Sequence, residues 1–326
     1  MTKKKLCVAY IGRNNNLHDR RFVEVLSRNF HVVEMFTEDS TATPFPEEKF
    51  VDVSLIVAGP LTDTISAIPL SVKLPILGIS HAYDLNIEFS YPNLEANILR
   101  CAAIMSDCAH ITNILRDTYN YPNKIHEIPW GCEQKYFSKT KVVFDDKLKI
   151  LVTRNWSHVY RNDVIISSLE LLELKGMDFS CTFIGDGPLL ENQIQKLTKG
   201  EEPLNIRFVG NKRHDEIRNA MSDNWIYISA ASSDGSSISL LEAMSAGMIC
   251  IATDFPSNLE WIEHSISGFI FPNGDSKALA SIIEEISTLS HQEKIRIGNA
   301  AKEITLKRGD WRKNQKAFIS TVIAMA

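Results

Sequence analysis

Residues 225–253 read WIYISAASSDGSSISLLEAMSAGMICIAT, and this stretch sets the fold class of the chain. Trp225–Ser229 is a short apolar run of strand length, Ile238–Ala246 carries the period of a helix, and Met248–Thr253 is a second apolar run. Strand, loop, helix and strand in that order form a βαβ unit, which joins parallel strands. The connecting turn is built from small residues, Gly235, Ser236 and Ser237, which let a ligand approach the backbone closely. Amides that open the following helix lack intrahelical acceptors and, with the helix dipole, favour an anion. Asp234 stands before the turn and Glu242 follows eight positions later, inside the helix. Carboxylates beside a phosphate site suit sugar or ribose hydroxyls, which they bind through charge-assisted hydrogen bonds. An N-cap and a solvated acid on an ordinary helix fit the same residues.

The alternation extends in both directions. In the first half the expected strands are Leu6–Ile11, His31–Phe36, Val53–Ala58, Pro75–Ser80, Ala109–Asn113 and Ile125–Ile128, with helices at Arg20–Arg28 and Leu94–Met105. The stretch Phe137–Asp146 is polar and aperiodic and reads as the linker. Further strands are expected at Lys149–Thr153, Phe179–Ile184, Ile206–Val209 and Phe269–Phe271. Helices are expected at Asp163–Leu174, Leu189–Thr198, Asp215–Met221, Lys277–Ser287 and Gln292–Glu303, with a last one from Trp311 to about Ala324 that Asp310 can cap. The fold class is therefore α/β: domains at 1–140 and 147–305, each Rossmann-like, and a closing segment at 310–326. A ligand cleft between the two is the natural site.

Composition narrows the function. The 326 residues are 44% hydrophobic and 23% charged, with a net charge of -5 and a pI near 6.0, unlike a nucleic-acid binder with its basic face. Lys3-Lys4-Lys5 reads as a solvated tail or a membrane-surface contact. No apolar stretch approaches the roughly 20 residues of a spanning helix, and no signal peptide is expected. The six cysteines include no C-x-x-C pair, so reduced thiols and a cytoplasmic setting are expected, and no metal cluster is read. IGDGPLL at Ile184–Leu190 has two glycines but Leu190 in place of the third of a dinucleotide fingerprint, which disfavours NAD.

An acid, seven residues and Glu242, followed by Ala-Met-x-x-Gly, resembles the donor-site motif of the retaining glycosyltransferases of family 4, which have the GT-B fold. The resemblance implies two domains facing across a cleft, the first binding acceptor and the second the nucleotide-sugar donor, with the C-terminal helix returning toward the first. It implies that Glu242 binds ribose and Asp234 faces the transferred sugar, where the family usually has Glu. TRNWSHVYR at Thr153–Arg161 resembles the stretch carrying the family's diphosphate clamp. Arg154 takes the first position, and Arg161 substitutes for the family's Lys or serves a surface ion pair. Gly185 lies in a turn similar to the family's Gly-Asp-Gly-Pro turn at the donor, or in a purely structural one. The loop around Lys212 and Arg213 is similar to the one whose backbone lies along the nucleobase. Glu260 takes the place of a further family acid, or of a helix N-terminal residue. His81, in GISHAYDL, resembles the family's histidine that reaches the donor sugar, or is structural; IPWGCEQKYF at Ile128–Phe137 matches the end of the first domain. Arg13, Asn14 and Asn15 replace the usual glycine-rich loop after the first strand.

The activity so implied is transfer of a sugar from a nucleoside diphosphate sugar to a hydroxyl of a glycan or lipid-linked glycan, with retention, without metal and without a cofactor beyond the donor. Arg154, Arg161 and the helix-start amides would stabilise the departing diphosphate. Peripheral association with the inner membrane face belongs to the same implication. Two rivals stay open: an epimerase or hydrolase acting on the sugar nucleotide alone, and a non-catalytic nucleotide-sugar-binding or scaffold subunit.

Overall fold

A computed structural model of the chain describes residues 6–14, 17–38, 43–85, 91–197 and 205–326. Lys3–Lys5, Asn15 and Thr198 lie outside the described residues. The chain divides into two compact units, 1–130 with 312–326, and 131–311. The division falls ahead of the polar stretch at 137–146.

The first unit is built on β1 (Cys7–Arg13), β2 (His31–Thr37), β3 (Leu55–Ala58), β4 (Ile76–Ile79), β5 (Ala103–Ser106) and β6 (Lys124–Glu127). All pairings are parallel, in the order β2-β1-β3-β4-β5-β6. The helices α1 (Leu17–Asn29), α2 (Asp63–Ser66), α3 (Leu94–Arg100) and α4 (Ala109–Asn113) connect them. Strands β3, β4 and β5 are buried at every residue, as expected of a parallel sheet covered on both faces. Two expectations are corrected here. The helix expected over Leu94–Met105 ends at Arg100, and the strand expected at Ala109–Asn113 is helical. The strand of this region is Ala103–Ser106, because the Ala102 N–H donates to the Ile76 carbonyl and the chain then runs in register with β4. The Cys101 carbonyl accepts from Tyr121 Oη at 2.8 Å and Asn123 Nδ2 at 3.1 Å, which fixes the exit from the helix.

In the second unit the strands are β7 (Leu148–Val152), β8 (Phe179–Phe183), β9 (Ile206–Phe208), β10 (Ile226–Ser229), β11 (Ile249–Thr253) and β12 (Phe269–Phe271). They pair in parallel in the order β12-β11-β10-β7-β8-β9. Read from β9, this is the doubly wound Rossmann order, which reverses direction between β7 and β10. Its helices are α5 (Gln134–Phe137), α6 (Asn162–Leu174), α7 (Leu190–Leu197), α8 (His214–Asp223), α9 (Ile238–Ala246), α10 (Pro256–Leu259), α11 (Ser276–Thr288) and α12 (His291–Arg308). Two apolar clusters flank the sheet, one around Ile150, Ile228 and Ile283, the other around Tyr227, Leu241 and Cys250. The last helix, α13 (Trp311–Met325), packs in the first unit from Arg312 onward.

Candidate functional site

In the second unit the strand order turns at β7 and β10, and the loops leaving these strands carry Arg154 and Asp234. Ligands of open α/β sheets bind at such a reversal, beyond the carboxyl ends of the strands. The two loops are tied together through the Val159 carbonyl, which accepts from the Ser232 amide at 2.8 Å and Ser232 Oγ at 3.1 Å. Arg154 is 8% exposed. Its Nη1 donates to Ser237 Oγ at 2.8 Å and Ser239 Oγ at 3.0 Å, its Nη2 is ion-paired with Asp234 Oδ2, and its guanidinium lies 4.2 Å from the Tyr160 ring centre. Nε is buried with no hydrogen-bond partner among the described residues. Burial disfavours the charged guanidinium, but the neighbouring Asp234 carboxylate outweighs it and holds the arginine above its ordinary pKa.

The small-residue turn is fixed by its neighbours. Gly235 N donates to Asp234 Oδ1 at 3.0 Å, Ser257 Oγ to the Asp234 carbonyl at 3.0 Å, and Trp261 Nε1 to Ser236 Oγ at 3.2 Å. Ser237 caps α9, its Oγ accepting from the Leu240 amide. The amides of Ile238 and Ser239 lie in the first helical turn, where no intrahelical acceptor reaches them. The helix is buried over Leu240–Ala246 and ends at Gly247, whose φ of 85° closes it in the left-handed region. Glu242 is 8% exposed, and its Oε1 lies 2.9 Å from His214 Nε2 on α8. His214 in turn stacks on Tyr136, with ring centres 5.4 Å apart, and meets the Phe137 ring edge-on. Asp234 and Glu242 therefore take different partners, one a strand-end arginine and the other a histidine on a neighbouring helix.

The remaining residues singled out in this half occupy several settings. Gly185, at φ 139°, packs so closely on the loop after β7 that a Cβ there would stand 2.6 Å from the Arg154 carbonyl oxygen. At Gly187 the corresponding distance to the Trp156 carbonyl is 2.5 Å, and the Trp156 amide donates to the Asp186 carbonyl at 3.0 Å. The Gly-Asp-Gly turn thus braces the Arg154 loop. Arg161 has φ 45°, and its guanidinium pairs with Asp163 at 3.3 Å, away from the contacts of Arg154; Tyr160, beside it in sequence, is the residue that reaches them. Lys212 and Arg213 turn their side chains onto the acids opening α8, Lys212 to Glu216 at 3.4 Å and Arg213 to Asp215 at 3.0 Å. Glu260 follows α10 rather than opening a helix, which corrects the N-terminal alternative: Pro256–Leu259 already form the helix. The Glu260 carbonyl accepts from Arg308 Nη1 at 2.9 Å.

His81 sits just beyond β4 in the first unit, with 1% of its side chain exposed and neither ring nitrogen hydrogen-bonded among the described residues. Its Nε2 stands 3.6 Å from Asp19 Oδ1, beyond hydrogen-bond reach, and its ring meets Trp130 edge-on at 4.9 Å. Burial, reinforced by His18 and Arg13, holds the imidazole well below its usual pKa. Asp19 accepts from Tyr10 Oη at 2.7 Å and the Arg13 amide at 2.8 Å, yet burial raises it to about 6. Arg13 itself bridges β1 and the start of α2: Nε and Nη2 both reach Asp63, at 3.0 and 2.6 Å, and Nη1 donates to Tyr83 Oη at 2.8 Å. Asp84 is consumed by the loop, accepting from the Leu61 amide at 2.8 Å and Ser80 Oγ at 2.9 Å.

Sequence reasoning missed Ser239, Tyr227, His214 and Asp19. Tyr227 Oη donates to Ser239 Oγ at 2.9 Å and so supports the second hydroxyl on Arg154. The one-residue spacing of Ser237 and Ser239 on an opening helical turn was a readable signal for the first of these. Pairings between distant elements leave no local trace.

Two doubly wound parallel sheets, the second with a buried arginine and a helix start at its switch point, define a two-Rossmann architecture of the GT-B type. Residues 134–304 match the glycosyl transferases group 1, and the chain belongs to this family. It is 29% identical over 171 residues to the amylovoran biosynthesis glycosyltransferase AmsK of Erwinia amylovora, covering 50% of this chain and 42% of that protein. It is 25% identical over 245 residues to the N-acetyl-alpha-D-glucosaminyl L-malate synthase of Bacillus anthracis, covering 71% and 63% respectively. The chain thus spans less than two thirds of either relative's length. Among solved structures, Anabaena Alr3699/HepE in complex with UDP-glucose superposes with a TM-score of 0.77 at 14% identity, over 98% of this chain and 100% of that one. No helix among the described residues is long and apolar enough to cross a membrane.

Proposed function

We propose that this glycosyltransferase takes a nucleoside diphosphate sugar in its second unit and transfers the sugar, with retention and without a metal ion, to a hydroxyl of a glycan or lipid-linked glycan. The observation that carries the reading is Arg154: a buried cation at the switch point, facing the start of α9, with an Nε donor left over. In the reaction the bond from the anomeric carbon to the diphosphate breaks and a bond to the acceptor oxygen forms on the same face. The acceptor's proton leaves with the diphosphate. Negative charge builds on the departing phosphate oxygen, where the guanidinium and the Ile238 and Ser239 amides stabilise it electrostatically. Glu242, held by His214, takes the ribose hydroxyls; Asp234 faces the sugar; the main chain around Lys212 and Arg213 lies along the base. Family 4 supplies this assignment by resemblance. By the same resemblance Arg161 and Glu260 are secondary donor contacts, and His81 corresponds to the family's sugar-reaching histidine. The relative in amylovoran biosynthesis supports a glycan as acceptor, the resemblance implies that it is taken at the inner membrane face, and the neighbour solved with UDP-glucose makes uridine nucleotides the first donors to try.

Calorimetric titration with UDP, GDP, ADP and their sugar conjugates, without added metal, tests the donor site. Selective binding of one nucleotide is expected, weakened at least about tenfold in Glu242→Ala and in Arg154→Ala, as the loss of a charge-assisted hydrogen bond implies. Full transfer activity in both variants with a verified donor would remove the proposal.

A further inference from the structure

The two units of this chain each carry an arginine at or just beyond the end of their first strand and an aspartate after the strand across the switch point, and the two pairs are built differently. In the first unit Asp63 meets Arg13 through both Nε and Nη2, its side chain is 3% exposed, and Thr37 Oγ1 and Thr62 Oγ1 donate to it at 2.8 and 2.7 Å. Every edge of that carboxylate is committed, and the Arg13 fork is filled. In the second unit Asp234 reaches Arg154 through one oxygen on Nη2 alone, while its other oxygen accepts from Gly235 N. Its side chain is 23% exposed, and Arg154 Nε stays without a partner among the described residues. The remaining contacts of Arg154 are neutral: the hydroxyls of Ser237 and Ser239 and the face of Tyr160.

A cation as buried as Arg154 is strongly disfavoured without a counter-charge. Asp234 supplies that charge, but monodentately, on the side of the guanidinium whose Nε and Nη2 donors form the fork that matches a phosphate. We propose that Asp234 is a displaceable counter-ion of Arg154: it neutralises the arginine when the site is empty, and an incoming diphosphate takes over the Nε–Nη2 fork and releases the carboxylate. The inference rests on the donor-site reading above and deepens it. It gives one residue two successive partners. Freed from Arg154, Asp234 is available to accept from a sugar hydroxyl; when the diphosphate product is to leave, the same carboxylate competes for the arginine. Neutral sugars cannot displace it, so the site admits only ligands that bring their own negative charge.

The experiment is titration of the full chain with inorganic pyrophosphate, a diphosphate anion without base or sugar, at one fixed ionic strength. Wild type, Asp234→Asn, Glu170→Gln and Arg154→Gln are compared, with thermal unfolding of each to verify folding; Asp234→Ser replaces Asp234→Asn if the latter does not fold. Removing a competing charge-assisted contact should tighten pyrophosphate binding roughly tenfold in Asp234→Asn. Glu170→Gln should stay within about twofold of wild type, since that acid is exposed on α6 and a surface charge acts on the site only through a screened field. Arg154→Gln should lose binding. Unchanged or weaker binding in Asp234→Asn, alongside loss in Arg154→Gln, would overturn the counter-ion and leave the donor site standing. An equal gain in Glu170→Gln would equally overturn it, by showing a general charge effect. No pyrophosphate binding by any folded protein would end both the inference and the phosphate role of Arg154.

Discussion

Asp19 shows how a single buried side chain can carry a pH dependence. It opens the first turn of α1 with no exposed surface, holds hydrogen bonds from Tyr10 and the Arg13 amide, and still titrates near 6 because burial penalises its charge more than those bonds favour it. The groups facing it are Tyr10 and Arg13 on β1, Asp63 on α2 and His81 beyond β4. A carboxyl whose folded pKa lies above its unfolded one binds its proton more tightly in the native state. Its stabilising contribution is therefore complete below about pH 4 and declines as the pH rises through about 6. Measured against Asp19→Asn, the wild type's advantage in unfolding free energy should fall by up to about 3 kcal/mol between pH 4 and pH 7. Denaturant titrations at four pH values read this directly. A difference independent of pH would mean that Asp19 titrates as an ordinary carboxylate and that the cluster around His81 is less closed to solvent than its geometry indicates.

At the scale of elements, the loop after β7 is held in place by a turn belonging to another strand. Gly187→Ala would set a Cβ against the Trp156 carbonyl and Trp156 amide, which are main-chain atoms and cannot rotate away, at a φ of 152° that a side chain resists. It should destabilise the second unit by about 1–3 kcal/mol and weaken donor binding as well, because the loop that must shift is the one presenting Arg154. Gly176→Ala is the control: its φ is 70° but a Cβ would meet nothing within 4 Å, so roughly 1 kcal/mol and no binding effect are expected. Equal binding in both variants would separate the turn from the site. This bracing also marks how far the sequence could be read. The βαβ order, the turn Asp234–Ser237 and α9 were legible because periodicity and small residues are local signals, and Ile238–Ala246 and Phe269–Phe271 fall where the pattern put them. The strand Ala103–Ser106 was not, since three apolar residues and a serine just beyond a helix carry no period that separates strand from helix. Only its pairing with β4 decides the matter, and pairing is a long-range fact. The same holds within the site: Arg154 and Asp234 were each readable from a motif, whereas their ion pair, the hydroxyl of Ser239 and the hold of His214 on Glu242 join residues 28 to 85 positions apart.

At the scale of the molecule, the first unit is assembled from two segments separated in sequence, 1–130 and 312–326. After 131–311 complete a Rossmann-type domain, Arg312–Ala326 join the first unit's core rather than extending the second. The junction is made by specific side chains. Phe318 has no exposed surface and meets Phe22 of α1 with ring centres 5.2 Å apart; Phe22 in turn packs edge-on against Trp130 at 5.5 Å. Asn314 Nδ2 donates to the Pro129 carbonyl at 2.8 Å, and Thr321 Oγ1 lies 3.3 Å from His126 Nδ1. The first unit's core therefore includes a segment, 312–326, that follows the whole second unit in sequence. Phe318→Ala removes the centre of this seam, and a phenylalanine-to-alanine change in a closed core costs about 3–5 kcal/mol. If the units are separate cooperative bodies, that loss should fall on one of them. Hydrogen exchange of the full-length variant should then accelerate in peptides covering β1, β3 and β4, while those covering β7, β10 and β11 keep wild-type protection. Faster exchange spread equally over both sheets would instead show that the chain unfolds as a single unit, with its closing helix stabilising all of it.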